Sequence, residues 1–216
     1  MAAPASTIRN NFERAARRQG FRLIAGADEA GRGSLFGAVF AAAVVLDPER
    51  PIRGLRDSKQ LEPARREVLA VRIRERAVCW ACASAEADEI DRINIYQASR
   101  LAMERAIALL SPPPDYLLVD AMRLNLSTTQ KGLIRGDMRC PSIAAASILA
   151  KVTRDQTMRE WDAIYPEFKL ARNKGYPTQE HITALARHGP TPHHRMSYEP
   201  VRQIPLFTTL EALPCR

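Results

Sequence analysis

The chain has 216 residues, 46% of them hydrophobic and 26% charged. That fits one catalytic-sized domain with a small appendage and excludes a collagen, a wholly disordered chain and a disulfide-dependent miniprotein. Lys and Arg number 32 against 24 Asp and Glu, a formal net charge of +8. This favours a polyanionic partner, although only five of the 32 are Lys, and base-composition bias explains an Arg excess equally well.

Residues 1–20 read as a basic, flexible lead-in with no apolar signal core. Phe21 to Asp28 is a short apolar run that ends in a carboxylate. Leu35 to Leu46 is almost continuously apolar and Val-rich, so it reads as a buried strand pairing with the first. Asp57-Ser58-Lys59 is a loop. Pro63 to Arg76 carries Val68, Leu69 and Ile73 at helical spacing. Ala77 to Ser84 is a third strand. Within it Cys79 and Cys82 have metal or redox spacing, but i and i+3 in a strand point to opposite faces. With Cys140 and Cys215 they read as plain thiols of a reducing cytosol.

Asn94 to Leu110 predicts a helix, stopped by Ser111-Pro112-Pro113-Pro114. Tyr116 to Asp120 is a second apolar run closed by an acid. Lys131 to Arg135 is a short strand leading to Gly136-Asp137. Ser142 predicts the cap of a helix to about Ile164, and Thr178 to Arg187 predicts another helix. No run of about 18 apolar residues exists, so no membrane span is expected. Strands interleaved with helices indicate an α/β fold around one sheet. The expected protein is a cytoplasmic monomer. Its catalytic domain spans residues 21–202, and residues 203–216 form a tail.

Candidate chemistry begins with Asp28-Glu29-Ala30-Gly31-Arg32-Gly33. Acids often precede glycine in surface turns, so the hexapeptide alone decides little. Asp120 changes the balance, because strand ends in open α/β sheets form the ligand crevice. Asp137 follows the next short strand and faces the same crevice in this reading. Asp28, Glu29, Asp120 and Asp137 then make an oxygen-only set suited to Mg²⁺ or Mn²⁺. Two such ions can clamp the attacking and leaving oxygens of a phosphodiester. Rival readings are a junction-resolvase-like nuclease with a similar acid cluster and a nucleic-acid-binding module without activity.

These blocks together resemble the ribonuclease HII family, the bacterial type 2 ribonucleases H. The resemblance runs through Ile24 to Gly33, Asp57 to Leu61, Asn94 to Met103, Val119-Asp120, Ser142 to Asp155, Lys174 to Thr178 and His194 to Val201. It implies a ribonuclease H-like fold: a mixed five-stranded sheet flanked by helices, with a helical C-terminal part. It also implies a metal-dependent endonuclease acting on RNA/DNA hybrids and on ribonucleotide-containing duplex DNA. In that reading Asp28, Glu29, Asp120 and Asp137 are the catalytic, metal-binding acids. Gly31, Arg32 and Gly33 read the ribose 2′-OH, and Tyr176 stacks on the neighbouring sugar.

Asp155, on the long helix, matches a family position and reads as a structural ion pair or cap contact, with an outer active-site role as the alternative. Ala121 stands where the family commonly has glycine, and Ser34 and Ala38 where it commonly has proline. Lys169, Arg172 and Lys174 line a nucleic-acid groove or sit in a solvated loop. Gln203-Ile204-Pro205-Leu206-Phe207 resembles a peptide that docks on a sliding clamp. A tail packed on its own domain is the alternative. His181, His188, His193 and His194 read as solvent-exposed or structural.

Overall fold

The computed structural model describes residue 8 and residues 10–204. In chain order the elements are α1 (Asn11–Arg18), β1 (Ile24–Ala30), β2 (Val39–Val45), α2 (Pro63–Arg76), β3 (Cys79–Ala85), α3 (Ala87–Ala108), β4 (Tyr116–Asp120), β5 (Thr129–Leu133), α4 (Pro141–Ile164), α5 (Leu170–Asn173), α6 (Gln179–His188) and α7 (Glu199–Arg202). The strands form one mixed sheet ordered β3-β2-β1-β4-β5. β1 runs antiparallel to β2 and parallel to β4, which pairs in parallel with β5.

Strand alternation divides the core into two layers. Ala25, Ala27, Ala41, Ala43, Leu117 and Val119 face α3, against Ile90, Ala102 and Met103. The opposite face carries Ala42 and Val44, packed on Leu69 and Ile73 of α2 and on Ala145, Ile148 and Leu149 of α4. Small residues let α4 come very close. A Cβ on Gly26 would lie 2.2 Å from the Ser142 carbonyl carbon and 2.3 Å from Ile143 N. A third cluster, built from Phe36, Met158, Phe168 and Leu185, anchors the helical C-terminal part.

Four local features differ from the sequence expectation. The basic lead-in contains the amphipathic helix α1, whose Glu13 is only 4% exposed. Glu13 Oε1 accepts from Ser142 N at 3.0 Å and from Ser142 Oγ at 2.9 Å. Ser142 therefore lies inside α4 and not at its cap. Cys140 is the cap, because Pro141 has the backbone angle of a first helical position. The helix expected from Asn94 continues a preceding one. Asn94 has φ 67°, and its Oδ1 accepts from Tyr96 N and Gln97 N, so it caps the second part of a kinked α3. Finally, the strand in the Leu35–Leu46 run occupies only Val39–Val45.

Cys79 and Cys82 do attach to opposite layers of the sheet, and both are free. Cys215 lies outside the described residues. No helix among the described residues is long and apolar enough to cross a membrane.

Candidate active site

Register builds the site. In the parallel pair of β1 and β4, Ala27 stands opposite Val119. The next residue of each strand is an acid, so Asp28 and Asp120 leave the sheet side by side on the α4 face. Glu29 follows on β1. Asp137 sits in a 3₁₀ turn (Gly136–Met138) after β5. All four acids line one cleft of about 490 Å³, together with Gly31, Arg32, Gly33 and Tyr176. The residues singled out in the sequence are thus brought together by the fold.

Each acid is held by its surroundings. Asp28 is 5% exposed and accepts from Glu29 N at 2.8 Å. Asp120 Oδ1 accepts from Gly136 N at 2.6 Å, which ties β4 to the turn that carries Asp137. Glu29 Oε1 lies 3.2 Å from Arg32 Nη1, while its Oε2 is buried with no hydrogen-bond partner.

The electrostatics follow from burial and like charge. Burial first, then the charges of Glu29 and Asp120, hold the Asp28 carboxyl well above the usual carboxylate range; a hydrogen bond from Ser147 opposes them. Burial also raises Glu29, against the pull of Arg32, and raises Asp120, against the Gly136 amide. Asp137 is pushed up to about 6 by burial and by the charges of Asp57 and Asp120.

Among the described residues no three His, Cys, Asp or Glu side chains already converge tightly enough to enclose an ion. The acids instead rim an open cleft. Their chemistry still fits a hard divalent cation: all donors are oxygens, mutual repulsion raises their proton affinity, and one buried Glu29 oxygen has no partner.

The loop from Gly31 to Gly33 is braced by two buried arginines. Gly31 has φ 97°, and a Cβ there would meet Arg154 Nε at 2.1 Å. Arg154 Nη2 donates to Ser34 Oγ at 2.8 Å and to the Lys174 carbonyl at 2.6 Å, and the guanidinium lies 5.3 Å from the Tyr176 ring centroid. Arg195 Nη1 and the Tyr198 hydroxyl both donate to the Arg32 carbonyl, at 2.8 and 2.6 Å. The sequence reading assigned Arg154 and Arg195 no role.

It also passed over Ser147 and Lys151, which line the cleft from α4, and Lys59, which faces it from the Asp57–Lys59 loop. The signal was present: Ser147 and Lys151 are polar positions one helical turn apart in an Ala-rich helix. Asp155 pairs with Lys151 at 2.7 Å and with Arg66 at 3.6 Å, the structural ion pair expected of it. Of the segment Phe168–Tyr176, only Tyr176 lines the cleft. Lys169 and Arg172 pair with Glu180, and the Lys174 ammonium bonds back to the Ala171 carbonyl. The cations of the cleft are instead Arg32, Lys59 and Lys151. His181 and His194 are buried and structural.

A family model for ribonuclease HII matches residues 25–201. The chain belongs to the ribonuclease HII family. It is similar to the Ribonuclease HII of Solibacter usitatus (strain Ellin6076), 64% identical over 191 residues that cover 88% of this chain and 84% of the relative. Among solved structures, ribonuclease H2 from Pyrococcus horikoshii OT3 superposes with a TM-score of 0.72 at 27% identity, covering 85% of this chain and 97% of that one. Bst-RNase HIII, solved in complex with Mn²⁺, shares the fold with a TM-score of 0.68 at 18% identity, covering 93% and 75%. As a ribonuclease HII the chain is a hydrolase, an endonuclease of the ribonuclease H class that acts on RNA/DNA hybrids. The expected ribonuclease H-like fold, with its mixed five-stranded sheet, is the one observed.

Proposed function

We propose that Asp28, Glu29, Asp120 and Asp137 hold Mg²⁺ or Mn²⁺ and carry the hydrolysis of an RNA phosphodiester within a hybrid or beside a single ribonucleotide in duplex DNA. One observation carries this reading: the four acids, 109 positions apart in chain from first to last, share one cleft with Gly31–Gly33 and Tyr176. When bound, a pair of divalent ions there supplies an activated water and relief of charge at the departing oxygen. The neighbouring Bst-RNase HIII structure contains Mn²⁺, which supports the class of ion.

The protein's own groups do the rest. Gly33, where an added Cβ would meet only Tyr176, at 3.9 Å, leaves backbone uncovered, so a ribose can come close enough for its 2′-OH to be tested, while the missing side chain of Gly31 makes room for Arg154. Arg32, 43% exposed at its side chain, offers a planar fork to a phosphate. Tyr176 presents a ring for the adjacent sugar. Lys59 and Lys151 add positive charge opposite the acids, which favours a polyanion over a neutral ligand.

In this reading the cut falls 5′ of the ribonucleotide and leaves 3′-OH and 5′-phosphate ends. Such an activity serves ribonucleotide excision repair and RNA primer removal. The Gln203–Phe207 peptide is read as a clamp-docking segment from its residue pattern, and a ribonuclease HII of the same fold, from Archaeoglobus fulgidus, is solved in complex with PCNA; residues 205–207 lie outside the described residues.

The test compares duplex DNA with one ribonucleotide, a long hybrid and an all-DNA duplex, each with Mg²⁺, Mn²⁺ or chelator. Cleavage of the first two only, abolished by chelator, is expected. Asp28→Asn should fold normally and lose roughly a thousandfold or more in rate. A folded Asp28→Asn that cuts at the wild-type rate overturns the assignment.

A further inference from the structure

Two buried histidines behind Tyr176 take no part in this chemistry. His181 lies in the first turn of α6 and His194 in the following Pro-rich loop, and they are 0% and 1% exposed. Their Nε2 atoms are 3.1 Å apart. On one side, His181 Nδ1 lies 3.1 Å from the Tyr176 carbonyl oxygen. On the other, His194 Nδ1 lies 2.9 Å from Thr191 N and 3.0 Å from Thr191 Oγ1.

These contacts fix the protons. A backbone N–H can only donate, so His194 Nδ1 is a bare lone pair. Neutral His194 then carries its proton on Nε2 and donates it to His181 Nε2. That atom must accept, so the His181 proton sits on Nδ1, facing a carbonyl that can only accept. Every group is satisfied by this one pair of opposite tautomers. A second proton on His194 would set N–H against the Thr191 N–H, and one on His181 would set N–H against N–H between the rings.

The surroundings keep both rings neutral. Burial holds His194 down at about 3, with the charges of His181 and His193 adding to it, and burial lowers His181 as well. His193 packs on Trp161, and the His188 ring lies 6.3 Å from that of Phe168. Arg195, next in the chain to His194, is buried too, and its guanidinium donates to the Gly37 and Arg32 carbonyls.

Tyr176 is where a hold has most effect. Lys174 (φ 54°) and Gly175 (φ 72°) both take left-handed backbone just before it, so the chain reverses there. A Cβ on Gly175 would come within 2.6 Å of Ser34 Oγ, which sets how closely this turn approaches the Gly31–Gly33 loop. The ring of Tyr176 lines the cleft, while its carbonyl receives the His181 proton.

We propose that His181 and His194 are positioning residues: a neutral imidazole relay from Thr191 to the Tyr176 carbonyl sets the Tyr176 ring against Gly31–Gly33 and so sets how well the cleft accepts a ribonucleotide. The effect on substrate rests on the reading of Tyr176 as a substrate contact. The relay itself does not.

Nitrogen-15 NMR of the full-length, metal-free protein reads the tautomers directly. The expected result is His194 protonated on Nε2 and His181 on Nδ1, both still neutral at about pH 6.5, where an ordinary imidazole is half charged. The same tautomer on both rings, or ordinary titration of either, overturns the relay. Kinetics on a duplex with one ribonucleotide read its consequence. His181→Phe, checked for fold by circular dichroism, should raise KM roughly tenfold with kcat little changed, and His181→Asn, which keeps a donor near Nδ1, should recover most of the loss.

Tyr176→Ala, made in the wild-type and His181→Phe backgrounds, should give effects that fall short of adding. Full additivity, or a loss carried by kcat alone, overturns the positioning role. If Tyr176→Ala alone leaves KM unchanged, the substrate-contact reading of Tyr176 has failed, and the NMR result still decides the relay.

Discussion

Gly26 has no chemistry of its own, yet it sets how closely α4 lies on β1. Its missing Cβ lets the first turn of α4 rest on β1, and the space is already filled by helix backbone, which cannot rotate away. Gly26→Ala should therefore destabilise the protein by about 3 kcal/mol, the upper end for overpacking, seen as a lower urea midpoint. Ala121 is the converse case. It follows Asp120 with φ 48°, left-handed backbone that an alanine adopts only with strain. Ala121→Gly should relieve that strain and, after the entropy glycine loses on folding, gain about 0.5 kcal/mol in the same titration. A drop in stability would show that the turn already suits a side chain. The position was legible beforehand as a departure from the family pattern. The left-handed angle that gives the departure its meaning was not.

At the scale of elements, α4 organises the site. It carries Ser147 and Lys151 into the cleft and Arg154 under Gly31, and its first turn is held by a carboxylate from α1. Glu13 meets the positive end of a long helix in a buried setting, where such contacts are strongest. Glu13→Ala should lower stability by about 2 kcal/mol, with Glu13→Gln losing less because an amide oxygen still accepts. Equal melting temperatures for wild type and Glu13→Ala would show that water replaces the carboxylate without cost. This contact joins residues 129 positions apart in a segment whose composition suggests only a solvated lead-in, so nothing local announces it. Strand-ending acids were readable because an apolar run closed by a carboxylate is a local signal. Buried Arg154 and Arg195 were not, since an arginine is mostly a surface residue until tertiary packing encloses it.

Across the whole molecule, pH acts on the same groups that are proposed to hold the metal. Asp137 titrates at about 6 in the folded chain, above its ordinary value near 3.8. Between those values the metal-free folded state binds more protons than the unfolded one, so Asp137 makes the protein less stable as pH rises through that window. Wild type should therefore lose more stability between about pH 4 and pH 6 than Asp137→Asn, the difference isolating this residue's share in paired thermal melts. Identical slopes would mean that the like charges around Asp137 are relieved in some other way. A divalent ion that binds only the folded state raises its stability. Mn²⁺ should hence raise the melting temperature more at pH 7.5 than at pH 5, because the acids must be ionised to hold it.

The Arg32 carbonyl is gripped from the far end of the chain, by Arg195 and by Tyr198, across separations of 163 and 166 residues. A polypeptide halted after Asp137 but short of those two residues carries every acid and lacks both donors to that oxygen. The loop beside the acids thus gains its last two clasps only after every acid has been made, so a product terminated between Asp137 and Arg195 should be a poor cutter even though it carries all four acids.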